Sequence, residues 1–315
     1  MIKQLRIITT VMLVIFFYSC SDDENNLGEM PEEVVVLPEE PIVSPDEIIK
    51  IPVVIHVINP PSRPFIISDE KIQSQIDVLN KDYRKKNKDH VKTPDEFMNL
   101  VADVGIEFYL ATKDPDGKPT TGIIRTEADI SGFSGNDLTG ELPIEEYKLF
   151  FENKGGQDIW PSDSYLNIYI ADMFDRWGGL GLAGYAYFPG ADPRIDAVVI
   201  DPRVFGTLPP LEAGYELGRT ATHEIGHWLN LKHIYGKDGS CEVGDEVADT
   251  PDQKSQNLGK PTHPKSSCDT NEMFMNFMDR VDDDTMFMFT NGQKERIRAL
   301  FNEGGARRAL YLKNK

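Results

Sequence analysis

The chain has 315 residues, 40% hydrophobic and 27% charged, an ordinary globular balance with ample material for a core. That length admits one large domain or two small ones. The formal net charge of −19 argues against nucleic acid and anionic lipid surfaces as partners.

The first twenty residues read as an address. Lys3 and Arg6 form a positive region ahead of an apolar run from Ile7 to Tyr18. A membrane-spanning helix needs about 20 apolar residues, so this shorter run fits the core of a signal peptide. Phe17-Tyr18-Ser19-Cys20 resembles a bacterial lipobox with Phe17 where Leu is usual, which makes Cys20 a lipidation site and residues 1–20 a lipoprotein signal. The rival reading is ordinary secretion with an incidental cysteine. Asp22, Asp23 and Glu24 resemble a signal that sends lipoproteins to the cell surface, so an outer-membrane or cell-surface protein is expected. Residues 21–48 carry ten acids, four prolines and no Lys or Arg. Such a segment self-repels and extends as a tether. It reads equally as a short pro-segment whose acid caps a latent metal.

The folded domain is expected over residues 49–315. Ile51 to Ile58 is a β-rich apolar run, read as a buried strand. Ser68 precedes Ile72, Ile76, Leu79 and Tyr83 at helical spacing, although Lys71 does not complete a capping box. Ile106 to Leu110 and Tyr165 to Ile170 read as strands, and Asp114-Pro-Asp-Gly117 as a turn. Glu146 to Lys154 reads as a helix stopped by Gly155 and Gly156, and Ala197 to Ile200 as a short strand. Thr290 with Gln293 forms a capping box that opens a helix bearing Ile297, Leu300 and Phe301. This mixed order suggests a twisted sheet backed by a helix.

Residues 223–233 read HEIGHWLNLKH. His223 and His227, four apart, lie about 40° apart on one helix face and can share one metal. Neutral imidazoles suit Zn²⁺, and Glu224 beside them is placed to act as base on a zinc-bound water. His233 would sit about 240° round a continuing helix, so it reaches the same metal only if the helix breaks first. Asn230, tolerant of left-handed backbone and common at helix ends, permits that break. A lone HExxH is a modest signal; three of the chain's six histidines at this spacing are a stronger one. His56, His90 and His263 are read as surface or satisfied core residues. Asp245, Glu246, Asp249 and Thr250 form an acid-rich loop that either binds Ca²⁺ through Asp245, Asp249 and Thr250 or is solvated. If Cys20 is acylated, Cys241 and Cys268 are left to pair, the alternative being two free thiols.

With His233 in place the chain resembles a metzincin, and its flanks narrow the resemblance. The motif is followed by Gly244-Asp-Glu-Val-Ala-Asp-Thr-Pro251, Asn276-Phe-Met-Asp279 and Met288-Phe-Thr-Asn-Gly-Gln293. Together with Ile51-Pro-Val-Val-Ile-His-Val57 and Asp114 to Arg125, these resemble the pappalysin (cytophagalysin-like) family across residues 50–302. The resemblance implies an α/β (α+β) catalytic domain of the metzincin zincin type. In it a twisted mixed sheet is backed by the active-site helix, above a smaller irregular and helical lower subdomain. It implies His223, His227 and His233 as zinc ligands, Glu224 as general base and Met278 as the Met-turn residue beneath the metal. It also implies a Cys241–Cys268 disulfide and a calcium site near Asp245. Gly184 to Phe188 resembles the segment leading to the upper-rim strand that aligns substrate.

Two positions depart from the family pattern. Asn230 stands where metzincins carry Gly, and Arg280 stands where pappalysins carry Tyr, two residues after the Met. The Arg280 guanidinium either stabilises an oxyanion or points to solvent. The expected function is zinc-dependent endopeptidase action on extracellular protein or peptide substrates by a monomer, with Zn²⁺ and optionally Ca²⁺. Asp282, Asp283 and Asp284 follow the Met-turn; if one lines the pocket for the residue after the cut, Lys or Arg there is favoured. The alternative is a non-catalytic zinc-binding surface lipoprotein, an adhesin or capture module.

Overall fold

In the computed structural model the described residues are 43–62, 64–128, 143–173, 182–236, 239–241 and 244–315. The leader, Cys20 and most of the acidic segment lie outside them. Residues Ile42–Lys315 form one compact unit. Within it, residues 43–48, the end of the expected tether, pack against later structure. Val43 is buried, and Arg298 donates to the carbonyls of Ser44 (2.6 Å) and Glu47 (3.1 Å).

A six-stranded sheet organises the unit. Its centre is β1 (Ile49–Asn59), flanked on one side by β2 (Ile106–Leu110) and β3 (Ile123–Glu127), which pair in turn with its first and second halves. On the other side follow β4 (Leu166–Ala171), β6 (Ala197–Ile200) and, at the edge, β5 (Gly184–Ala186). Every pairing is parallel except β5 with β6. A parallel strand covered on both faces must be apolar throughout, which is why β1 lacks alternation. Ile51, Val53 and Ile55 face the helices, each burial contributing about 1.5–3 kcal/mol. On the opposite face, His56 stacks on Tyr169 at 4.3 Å.

Helix α1 (Asp69–Asp82) crosses from β1 towards β2, with the Ser68 hydroxyl accepting from Lys71 N at 3.2 Å as its cap. One further turn, α2, covers Asp95–Met98. Helix α3 (Arg219–Trp228) lies under the sheet and is buried along its whole length. Below it the chain is largely irregular until α4 (Asn291–Ala299), which opens with the Thr290–Gln293 capping box, and α5 (Arg308–Lys313). A two-stranded ribbon, β7 (Ser266–Ser267) with β8 (Thr270–Asn271), carries Cys268, which is bonded to Cys241. Ahead of α5, Arg307 lies 3.8 Å over the Trp228 ring and pairs with buried Asp196, which also accepts from Trp228 Nε1 at 2.8 Å. The end of α3 is thereby fixed to the last helix. Among the described residues no helix is long and apolar enough to cross a membrane.

One expected element differs. Glu146 to Lys154 is not a helix; the chain makes two 3₁₀ turns, Ile144–Glu146 and Glu152–Lys154, with buried Leu149 and Phe150 between them. The fold-back at Gly156 explains this. A side chain there would lie 2.2 Å from the carbonyls of Lys148 and Leu149, so the backbone closes on itself.

Candidate metal centre

The site is built on α3, whose start is capped from outside. Gly218 takes φ 73°, and Asp283 Oδ2 accepts from the backbone N–H groups of Leu217 (2.8 Å) and Arg219 (3.2 Å). The first turn holds no acid of its own, so Asp283 supplies the negative charge its dipole favours. Arg219 completes the tie. Its guanidinium grips Asp89 at 2.7 and 2.8 Å and donates to the carbonyls of Asp283 and Met286, both at 2.6 Å.

The far end of α3 breaks as the third histidine requires. Asn230 sits at φ 71°, with its N–H bonded to His227 O (2.9 Å) and the Leu231 N–H bonded to Gly226 O (2.8 Å). This pair of bonds is a Schellman motif with Asn230 as the left-handed residue. The chain then doubles back and returns His233 to the first two ligands. His233 Nε2 lies 3.0 Å from His227 Nε2 and 3.1 Å from His223 Nε2. Three nitrogens bound tetrahedrally at about 2.05 Å would stand about 3.3 Å apart, so the cluster matches one zinc ion. Tautomers agree with this. His223 Nδ1 is 2.7 Å from Phe277 O and His227 Nδ1 is 2.7 Å from Leu231 O. Each Nδ1 must therefore carry the proton, leaving Nε2 lone pairs turned on one point. Burial, then the neighbouring imidazoles, hold His223 well below the usual histidine range, and burial takes His227 to about 4 and His233 to about 3. Three converging lone pairs without protons are a donor set for a cation.

Met278 and Gly226 form the floor. Met278 is fully buried, and a side chain on Gly226 would stand 2.5 Å from its sulfur. The glycine between the two helical histidines is thus the space the methionine fills. Asn276 Oδ1 holds Met278 N at 2.9 Å, and Asp279 fixes the turn by accepting from Gln253 Nε2, Asn257 N, Asn257 Nδ2 and Arg280 N at 2.8–2.9 Å. Sequence reading gave no hint of Gln253 or Asn257, which meet Asp279 only in the fold.

Glu224 is buried beside a cleft of about 200 Å³ bordered by Tyr215, His223, Arg280, Asp283 and Met286. Desolvation pushes its carboxyl up to about 8, opposed by the Arg280 guanidinium. A bound cation would draw it down further. Gly184 on β5 backs it: an added methyl there would lie 2.8 Å from Glu224 Cγ. Arg280 both borders the cleft and is solvent-exposed. Its charge bears on all three histidines and Glu224, and it is hydrogen-bonded to Tyr235, whose ring stacks on His233 at 4.7 Å.

Of the three consecutive acids only Asp283 borders the cleft, while Asp284 pairs with Lys260 outside it. Of the calcium candidates, Asp245 and Thr250 meet through a hydrogen bond, while Asp249 is engaged elsewhere. Asp249 is consumed by Thr290 Oγ1 (2.7 Å) and Gly292 N (2.9 Å) at the start of α4, and Asp245 Oδ1 by Val247 N (3.0 Å) and Thr250 Oγ1 (2.7 Å). Among the described residues the three histidines are the only cluster of His, Cys, Asp and Glu fit for a metal ion.

Comparison with known proteins points the same way. The family model described as "Pregnancy-associated plasma protein-A" matches residues 152–302. An extracellular metalloprotease of Arthroderma otae is 40% identical over 139 residues, 42% of this chain and 50% of that protein. One of Arthroderma gypseum is 31% identical over 242 residues, 75% of this chain and 67% of that protein. The matched segment thus spans about half the length of the former relative and about two thirds of the latter. The structure of Tannerella forsythia mature mirolysin in complex with a cleaved peptide superposes with a TM-score of 0.76 at 43% identity, covering 85% of this chain and 97% of that one.

Proposed function

This chain belongs to the pappalysin family of metzincin metallopeptidases, and we propose that it is a zinc-dependent endopeptidase acting on extracellular proteins or peptides. The observation that carries the reading is the convergence of the three Nε2 atoms, two pairs at 3.0 and 3.1 Å, with His223 and Glu224 both lining the adjoining cleft. His223, His227 and His233 hold the ion. Zinc, when bound, supplies Lewis acidity that polarises the scissile carbonyl and brings the pKa of a coordinated water to about 7. Glu224 does the proton work: its carboxylate accepts the proton of the attacking water and delivers it to the leaving nitrogen. Arg280 offers positive charge to the carbonyl oxygen as it becomes an oxyanion. Met278 keeps the underside of the site dry and fixed. The non-catalytic capture module gives Glu224 no task.

A preference for Lys or Arg after the cut has one support, the place of Asp283 on the cleft wall, although its Oδ2 caps α3 and desolvation raises its carboxyl to about 6. The leader-like first twenty residues and the names of the fungal relatives support an exported protein, with Cys20 as the lipid anchor at the outer membrane or cell surface. A calcium ion beside Asp245 has one support, the buried Oδ2 that lacks any partner. Calcium titration followed by thermal denaturation tests it, an unchanged midpoint opposing it. The activity itself is tested by stripping the chain with a chelator. Cleavage of casein should vanish and return with one equivalent of zinc, whereas metal uptake with no cleavage would support the capture module.

A further inference from the structure

The residue that makes the three-histidine site reachable is held in a left-handed turn. Asn230 takes φ 71° without being glycine; asparagine tolerates that region better than most side chains, but glycine reaches it at lower cost. A contact that pins the turn therefore matters more here than it would at glycine. The 230–231 peptide is restrained at both ends: its N–H, on Leu231, bonds to Gly226 O at 2.8 Å, and its C=O, on Asn230, accepts from Arg296 Nε at 2.7 Å. Arg296 lies on α4, 66 positions along the chain from Asn230. The next carbonyl, Leu231 O, receives His227 Nδ1, and two residues later comes His233. Turning the 230–231 peptide therefore displaces two of the three ligands at once.

We propose that Arg296 is a positioning residue of the metal centre, pinning the left-handed turn at Asn230 so that His227 and His233 meet His223. Its outer nitrogens bond to Glu246, whose other oxygen takes Lys232 Nζ at 2.5 Å. Those pairs are surface-exposed and contribute little. The Nε–carbonyl bond, part-buried and directed at the left-handed residue, is what acts. The inference rests on the zinc reading above.

The test is zinc titration of the metal-stripped full chain against a chromophoric chelator. Arg296→Ala should raise the zinc dissociation constant about tenfold or more, the usual effect of losing a ligand-orienting partner. Asn230→Gly in that background should restore binding to within about threefold of wild type, because glycine adopts the turn unaided. Should Arg296→Ala fail to fold, Asn230→Gly with and without Arg296→Ala gives the same comparison, and equal affinities are expected. Wild-type affinity in Arg296→Ala, or a loss that Asn230→Gly leaves untouched, overturns the proposal. Amide exchange of the metal-free protein separates it from the zinc reading. Arg296→Ala should speed exchange at Asn230 and Leu231 while leaving Ile225 and Gly226 unchanged; equal rates at Asn230 and Leu231 overturn the clamp even if zinc binds. A wild-type chain that takes no zinc would defeat the functional reading and leave the exchange result to decide the clamp.

Discussion

Replacing Gly184 by alanine is expected to cost about a hundredfold in kcat while leaving zinc in place. The backbone at Gly184 is ordinary strand, so conformational freedom is not the reason for glycine. Space is. The new methyl would stand 2.8 Å from Glu224 Cγ and 3.0 Å from both Ile200 Cδ1 and Val199 O. Carbon pairs rest at about 3.5–4.0 Å, so Glu224 must retreat by about 0.7 Å or more. Val199 O belongs to the neighbouring strand and Ile200 to the core, so the glutamate is the freest of the three to move. Displacement of a catalytic group by about 1 Å costs about 10²-fold, equivalent to about 2.7 kcal/mol in the barrier. The assay is kcat and KM on a fluorogenic peptide, with bound zinc measured on the same sample. Should β5 yield instead, overpacking would appear as about 1–3 kcal/mol of lost stability in thermal denaturation with kcat preserved. Wild-type kcat and wild-type stability together would refute the steric argument.

Other consequences concern stability and specificity. His56 is buried with its pKa lowered to about 4 from 6.5, mainly by desolvation. The unfolded chain therefore takes up a proton first, so stability is complete above pH 6.5 and falls as pH drops towards 4, by up to about 3 kcal/mol. His56→Phe should flatten the dependence of urea-unfolding free energy on pH in that window, and an unchanged slope counts against it. Asp283→Asn should lower the preference for Lys or Arg over Leu after the cut by about tenfold in peptide-library profiling; retention of the preference would place its source elsewhere. Exchanging both Cys241 and Cys268 for Ser should cost about 3 kcal/mol in chemical denaturation, because the bridge closes a loop with a sequence separation of 27.

What sequence could reveal followed from how locally each feature is encoded. The Ser68 cap, the Thr290–Gln293 capping box and the unbroken apolar run of β1 are each written within a few residues, and each stands where expected. The helix break was legible because the spacing from His227 to His233 leaves a continuing helix no way to share a metal. Strand β3 was not read as a strand, since its residues are part-exposed and carry no apolar stripe. The stretch from Glu146 to Lys154 reads as a helix ended by Gly155 and Gly156, while the decisive feature, the close fold at Gly156, is steric. Asp249 illustrates a further limit. A carboxylate in an acidic loop reads as a calcium ligand, yet this one caps the helix at Thr290, 41 positions away. Gly184 against Glu224, Gly226 against Met278 and Arg296 against Asn230 are likewise contacts across the fold, and no local pattern announces them.

The central claim is that Glu224 moves protons for a zinc ion held by His223, His227 and His233. Its most direct test is the initial rate of casein cleavage by zinc-loaded Glu224→Ala beside zinc-loaded wild type, with metal content matched. One zinc per chain is expected in both proteins, with a rate lowered by at least about 10³-fold in the variant, in the range expected when a general base is lost. Equal rates, or no cleavage by either protein at full zinc occupancy, would contradict it.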